Sequence, residues 1–168
     1  MINMKSIIKP ALLLMAVAFA VLTGITGCSK AGGPVHRKMA AAAYYYQETS
    51  DGYSYTFYLV EKSGDLIPDP DDARAMKVAN YVHLCFTSAS ESLMGTYTLT
   101  DDVYDLPVGK AYVYDNCDNR HLNYITGGTL EVGDGTITIT GSSSDGRNYS
   151  LSYSGLFQRT GYITTFVK

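Results

Sequence analysis

Apolar and polar positions alternate with period two through most of this chain. In YSYTFYLV, Tyr53, Tyr55, Phe57 and Leu59 fall on one face, with Ser54, Thr56 and Tyr58 on the other. That is the spacing of a strand with one buried face, so Thr56 is expected to tolerate alanine. The pattern returns in GTYTLT, KAYVYD, GTLEV, TITIT and NYSLSYS, which direct Tyr97, Leu99, Leu130, Val132, Ile137, Ile139, Tyr149, Leu151 and Tyr153 inward. VANYVHLCF, residues 78–86, is apolar on both faces, as a central or well-covered strand would be. Asp51-Gly52, Gly133-Asp134-Gly135 and Ser144-Asp145-Gly146 carry turn chemistry between these runs. Two longer connections remain, SGDLIPDPDDARAMK, where Pro68 and Pro70 exclude a central strand, and DNCDN around Cys117. The pattern predicts a single all-β antiparallel domain of about eight or nine strands. A β-sandwich and a partly open small barrel both satisfy it.

The first residues obey a different rule. Lys5 and Lys9 precede the apolar run ALLLMAVAFAVL, residues 11–22, and Thr23, Gly24, Thr26 and Gly27 interrupt it. A basic start, a dozen apolar residues and a small-residue exit make a secretory signal peptide, too short for the roughly 20 residues that span a bilayer. The order Ile25-Thr26-Gly27-Cys28 resembles the lipobox of bacterial lipoproteins. That resemblance implies cleavage before Cys28 and acylation of its sulfur and its new amine. Two or more acyl chains anchor stably where one does not. Ser29 in the next position implies, by the same resemblance, the outer membrane. Residues 1–27 are therefore read as signal, 28–40 as the lipidated cysteine with a flexible tether, and 41–168 as the domain. His36, Arg37 and Lys38 are expected to be solvated on that tether, and MAAAA to form a spacer or a short helical turn.

Removing the signal leaves 141 residues, the usual size of one domain. The two signal lysines leave with it, so 11 basic residues face 16 acidic ones and the net charge is −5. An acidic chain argues against nucleic acid as a partner and against a second, electrostatic membrane contact. All 15 tyrosines lie in this part and tryptophan is absent. Tyrosine suits half-buried strand positions. Tyr44, Tyr45, Tyr46, Tyr112 and Tyr114 are the candidate ligand-facing rings, able to stack on sugars.

Three stretches carry a wider likeness: AAAAYYYQETSDGYSYTFYL, GTYTLTDDVYDLPVG and ITGGTLEVGDGTITITGSSSDGRNYSLSYSG. Together they resemble small tyrosine-rich envelope lipoproteins of Bacteroides-type bacteria, over residues 40–157. The resemblance implies a cell-envelope β domain and lends no catalytic residue.

Candidate chemistry is sparse. Neither H-E-x-x-H nor G-x-S-x-G occurs. His83 is expected to be half-buried in a strand and His121 to lie in a loop. Glu48, Glu61, Glu91 and Glu131 are scattered, with no spacing that pairs two of them for glycoside hydrolysis. Asp69, Asp71 and Asp72 form an acidic loop without the spacing of a calcium loop. No enzyme, metal or cofactor is expected. Cys85 and Cys117 could be bridged after export, but Cys85 sits in an apolar strand where a free thiol packs well, so separate thiols are expected. The functional expectation is a membrane-anchored binding or accessory domain that holds glycan or another envelope protein. The alternative is a structural subunit of an envelope complex with no ligand pocket.

Overall fold

The computed structural model describes residues 33–117 and 123–165. Thirteen strands account for nearly all regular structure among them, so the domain is all-β, with more and shorter strands than expected. They are β1 (Val35–Met39), β2 (Ala41–Thr49), β3 (Gly52–Val60), β4 (Leu66–Pro68), β5 (Ala75–Val78), β6 (Tyr81–Ser88) and β7 (Gly95–Leu99), then β8 (Lys110–Asp115), β9 (Asn123–Gly133), β10 (Thr136–Ser143), β11 (Asn148–Ser154), β12 (Phe157–Arg159) and β13 (Tyr162–Thr165). Ten form one sheet in the order β1-β11-β10-β9-β7-β8-β6-β3-β2-β12, and three form a small sheet, β13-β5-β4. The three short turns read from sequence are the β2–β3, β9–β10 and β10–β11 hairpins.

The large sheet begins and ends on the same two stretches of chain. β1 runs into β2 across Ala40, and β11 into β12 across residues 155–156. β1 pairs in parallel with β11, Val35↔Tyr149 to Met39↔Tyr153, and β12 pairs in parallel with β2, Phe157↔Ala42 to Arg159↔Tyr44. Residues 40–41 face residues 154–156 between these ladders, a one-residue bulge that interrupts the seam. The sheet thus curls until its ends meet, and of the two architectures open at the sequence level the partly open barrel is the one formed. The pairing is not wholly antiparallel: β1/β11, β2/β12 and β7/β8 in the large sheet and β5/β13 in the small one are parallel.

Two regions read otherwise from sequence belong to this wall. MAAAA is strand rather than helical turn. Small side chains suit a strand packed on both faces: Ala42 is fully buried toward the interior, while Ala41 and Ala43 lie under the small sheet. The stretch 35–39, read as tether, is β1. Its Arg37 is not solvated: Nε donates to Asp115 Oδ2 at 2.8 Å and Nη1 meets Glu61 Oε1 at 3.1 Å. Asp115 also accepts Tyr149 Oη at 3.0 Å and the Cys117 N–H at 2.8 Å. His36 and Lys38, on the other face of β1, are exposed.

The interior holds one cluster. Tyr55, Phe57, Leu59, Leu130, Ile137, Ile139 and Leu151 are buried in it on the faces the alternation assigned, and Val82, Leu84 and Phe86 of β6 join them. Tyr44 stacks on Phe57 at 4.8 Å and Phe86 packs on Tyr97 at 4.3 Å. At one rim Tyr55, Tyr97 and Tyr153 donate from the core to the carbonyls of Glu91, Leu93 and Leu156. Tyrosine supplies such positions with an apolar ring and a polar tip.

The small sheet covers the outer face of β2, β3 and β6. Leu66 and Val78, with Met76 and Ile163, pack on Ala41, Ala43, Tyr58, Val60 and Tyr81. β4, which carries Pro68, is an edge strand. VANYVHLCF is not one strand but two, split at Asn80, whose φ of +48° turns the chain from β5 to β6. Asparagine tolerates that left-handed region better than most residues. Thr56, between Tyr45 and Cys85 in the cross-strand pairing, is also buried, at 8 % exposure, against the expectation of an open position.

Candidate functional site

Side chains pointing outward from adjacent strands line up in two cross-strand rows. One is Tyr45–Thr56–Cys85–Tyr112, across β2, β3, β6 and β8. The other is Ala43–Tyr58–His83–Tyr114–Tyr124, which continues to β9. Strict alternation in each strand and the in-register pairing place these residues together. The His83 ring lies 4.7 Å from Tyr58, 4.7 Å from Tyr114 and 5.4 Å from Tyr112. Cys85 Sγ sits 3.2 Å from Thr56 Oγ1 and 3.7 Å from His83 Nε2.

Around His83 this block is buried, and it holds no charged side chain. Burial pushes His83 down to about 4 and the Cys85 thiol up, and it raises Tyr58, Tyr112 and Tyr114 as well. A neutral thiol beside a neutral imidazole is not the thiolate–imidazolium pair of a cysteine nucleophile. His83 is buried outright, deeper than its sequence position promised, and its Nδ1 has no hydrogen-bond partner.

The sequence-derived candidates are divided by the fold. Tyr45, Tyr112 and Tyr114 share the outer face and are half-buried. Tyr44 and Tyr46 turn to the interior, where Tyr46 donates to Glu91 at 3.3 Å and lies 4.6 Å under the Arg159 guanidinium. Cys28 and His121 lie outside the described residues. Cys85 and Cys117 are free thiols on opposite sides of the wall, Cys85 in the outer row and Cys117 against the interior cluster. The acidic loop serves the fold. Asp69 accepts the Asp71 N–H at 3.0 Å and pairs with Lys77 at 3.3 Å, while Asp72 accepts Tyr162 Oη at 2.8 Å, tying β13 down.

At its β9 end the aromatic row reaches solvent. Tyr114 packs on Tyr124 at 6.1 Å, and Tyr124 is 39 % exposed. There a cleft of about 470 Å³ is lined by Asp101, Val103, Tyr104, Tyr124, Thr126 and Ser144, within the 300–1,000 Å³ usual for small-ligand sites. Tyr104 is 99 % exposed, yet its loop is braced. Asp102 Oδ1 accepts the N–H groups of Tyr104 and Asp105 at 3.0 and 3.1 Å, and Thr87 Oγ1 donates to the Leu106 carbonyl at 2.8 Å. Ser144 is held by its N–H bond to the Tyr124 carbonyl at 2.8 Å. Among the described residues the Asp101 carboxylate and the hydroxyls of Tyr104, Tyr124, Thr126 and Ser144 make no hydrogen bond to protein. The residues lining the cleft thus include two tyrosines and carry five polar side-chain groups that are not engaged by protein.

Sequence reasoning passed over Tyr104 and Tyr124. The signal for Tyr104 was its setting in TDDVYDLPVG, an aromatic in a polar loop with no strand to bury it. By contrast, the basin beside His36, Lys38, Ser150 and Ser152, about 310 Å³, has no aromatic wall. Comparison of the chain with protein-family models, curated proteins and solved structures found no match.

Proposed function

We propose that this protein is a lipid-anchored, non-catalytic binding domain of the bacterial cell envelope, and that it holds a glycan on Tyr104 and Tyr124. The observation that carries the reading is the fully exposed Tyr104 ring on a braced loop, set with Tyr124 on the wall of one cleft. Sugar rings present an apolar face edged by hydroxyls. Two tyrosine faces with a carboxylate and four hydroxyls around them supply both halves of that recognition. Bracing keeps the ordering entropy of binding small. The anchor at Cys28 rests on the lipobox and its basic, apolar flank, and Ser29 favours the outer membrane.

Glycan-array screening followed by titration tests the ligand. Tyr104→Ala should weaken the best glycan by at least about tenfold, as loss of a stacking face does, and leave the melting temperature unchanged. Unaltered affinity in both Tyr104→Ala and Tyr124→Ala would refute the site. The second reading, an assembly subunit, draws on Met94 and Leu156, 58 % and 89 % exposed and close in sequence to the rim carbonyls that the core tyrosines reach.

A further inference from the structure

We infer that the cleft selects a glycan bearing a free amine over its N-acetylated, neutral and acidic counterparts, with Asp101 as the residue that reads the amine. This rests on the proposed glycan site and adds the charge of its ligand. The loop that presents Tyr104, residues 100–109, carries Asp101, Asp102 and Asp105 and no basic residue. Asp102 is engaged with backbone N–H groups. Asp101 lines the cleft, and its carboxylate has no ion pair or hydrogen bond among the described residues. On the opposite wall, the hairpin turn that supplies Ser144 also carries Arg147. That guanidinium is taken up by Asp145, at 2.7 Å, and cannot neutralise Asp101 as well.

An ammonium group placed between a carboxylate and two tyrosine faces gains a charge-assisted hydrogen bond and a cation–π attraction at once. An N-acetyl group at the same position removes the charge and adds bulk. A uronic or sulfated sugar would meet Asp101 with like charge, in a domain whose net charge is already −5. Selection by charge therefore runs in one direction.

The test is titration of the mature protein with three matched oligosaccharides: a chitosan oligomer with free amines, its N-acetylated form and a cello-oligosaccharide. The amine form should bind about fivefold tighter than the other two, in line with one exposed charge pair. Asp101→Asn should abolish that preference, and added salt should shrink it. Equal binding of all three oligomers, unchanged in Asp101→Asn, overturns the inference and leaves the glycan site standing. Binding of none of the three, with no glycan on the array held by the native protein, overturns both. A preference for the amine form that survives Asp101→Asn removes Asp101 as its reader and overturns the assignment.

Discussion

Protonation of His83 should unfold the outer aromatic face. Its imidazole is packed by Tyr58, Tyr112 and Tyr114, 6 % exposed, with Nδ1 unpartnered and no carboxylate among its ring contacts. Burial alone pushes it down to about 4, below the ordinary value of about 6.5. As pH falls, the unfolded chain therefore takes up the proton first. The stability tied to neutral His83 is intact above about pH 6.5 and is lost progressively down to about pH 4. Between about pH 7.5 and 4.5 the loss amounts to about 2.5 kcal/mol. Urea titrations at a series of pH values would measure it from the midpoints at constant m. His83→Phe, which keeps a ring among rings, provides the reference, because every other titrating group is common to both proteins and cancels in the difference. A pH profile for His83→Phe parallel to that of the native domain would refute the reasoning, since burial could not then be holding the imidazole neutral.

Arg37→Ala should destabilise the domain by about 3 kcal/mol, because Asp115 would remain buried without its cation; equilibrium urea unfolding checks this, and a change under about 0.5 kcal/mol would return Arg37 to the solvated tether. Cys28→Ala should lose lipid labelling and leave the membrane fraction; retention there with the signal removed would refute the anchor.

Part of this architecture could be read without coordinates. The inward facing of Tyr55, Phe57, Leu59, Leu130, Ile137 and Leu151 follows from local parity, since successive residues of a strand point to opposite sides whatever the strand pairs with. The three hairpins were legible for the same reason, because turn chemistry is confined to two or three adjacent residues. Parity does not say what lies against each face. Thr56 and His83 are polar in sequence and buried in fact, because sheet pairing sets Tyr45 and Cys85 beside the one and packs the rings of Tyr58, Tyr112 and Tyr114 around the other. The closing seam was equally hidden: β1 meets β11 in parallel more than a hundred residues away, and nothing in VHRKM names its partner. Arg37 became the partner of a buried carboxylate only because that seam carries it to Asp115. The candidate site shows the same division. Tyr44, Tyr45 and Tyr46 are one tyrosine run in sequence, yet alternation sends the middle ring outward and the other two inward. Tyr104 and Tyr124 share a cleft only because the β7–β8 loop comes to rest beside β9. Residue spacing along a strand determines which way a side chain points. Which strands become neighbours, and what therefore stays open to a ligand, is decided by the long-range pairing that curls the sheet.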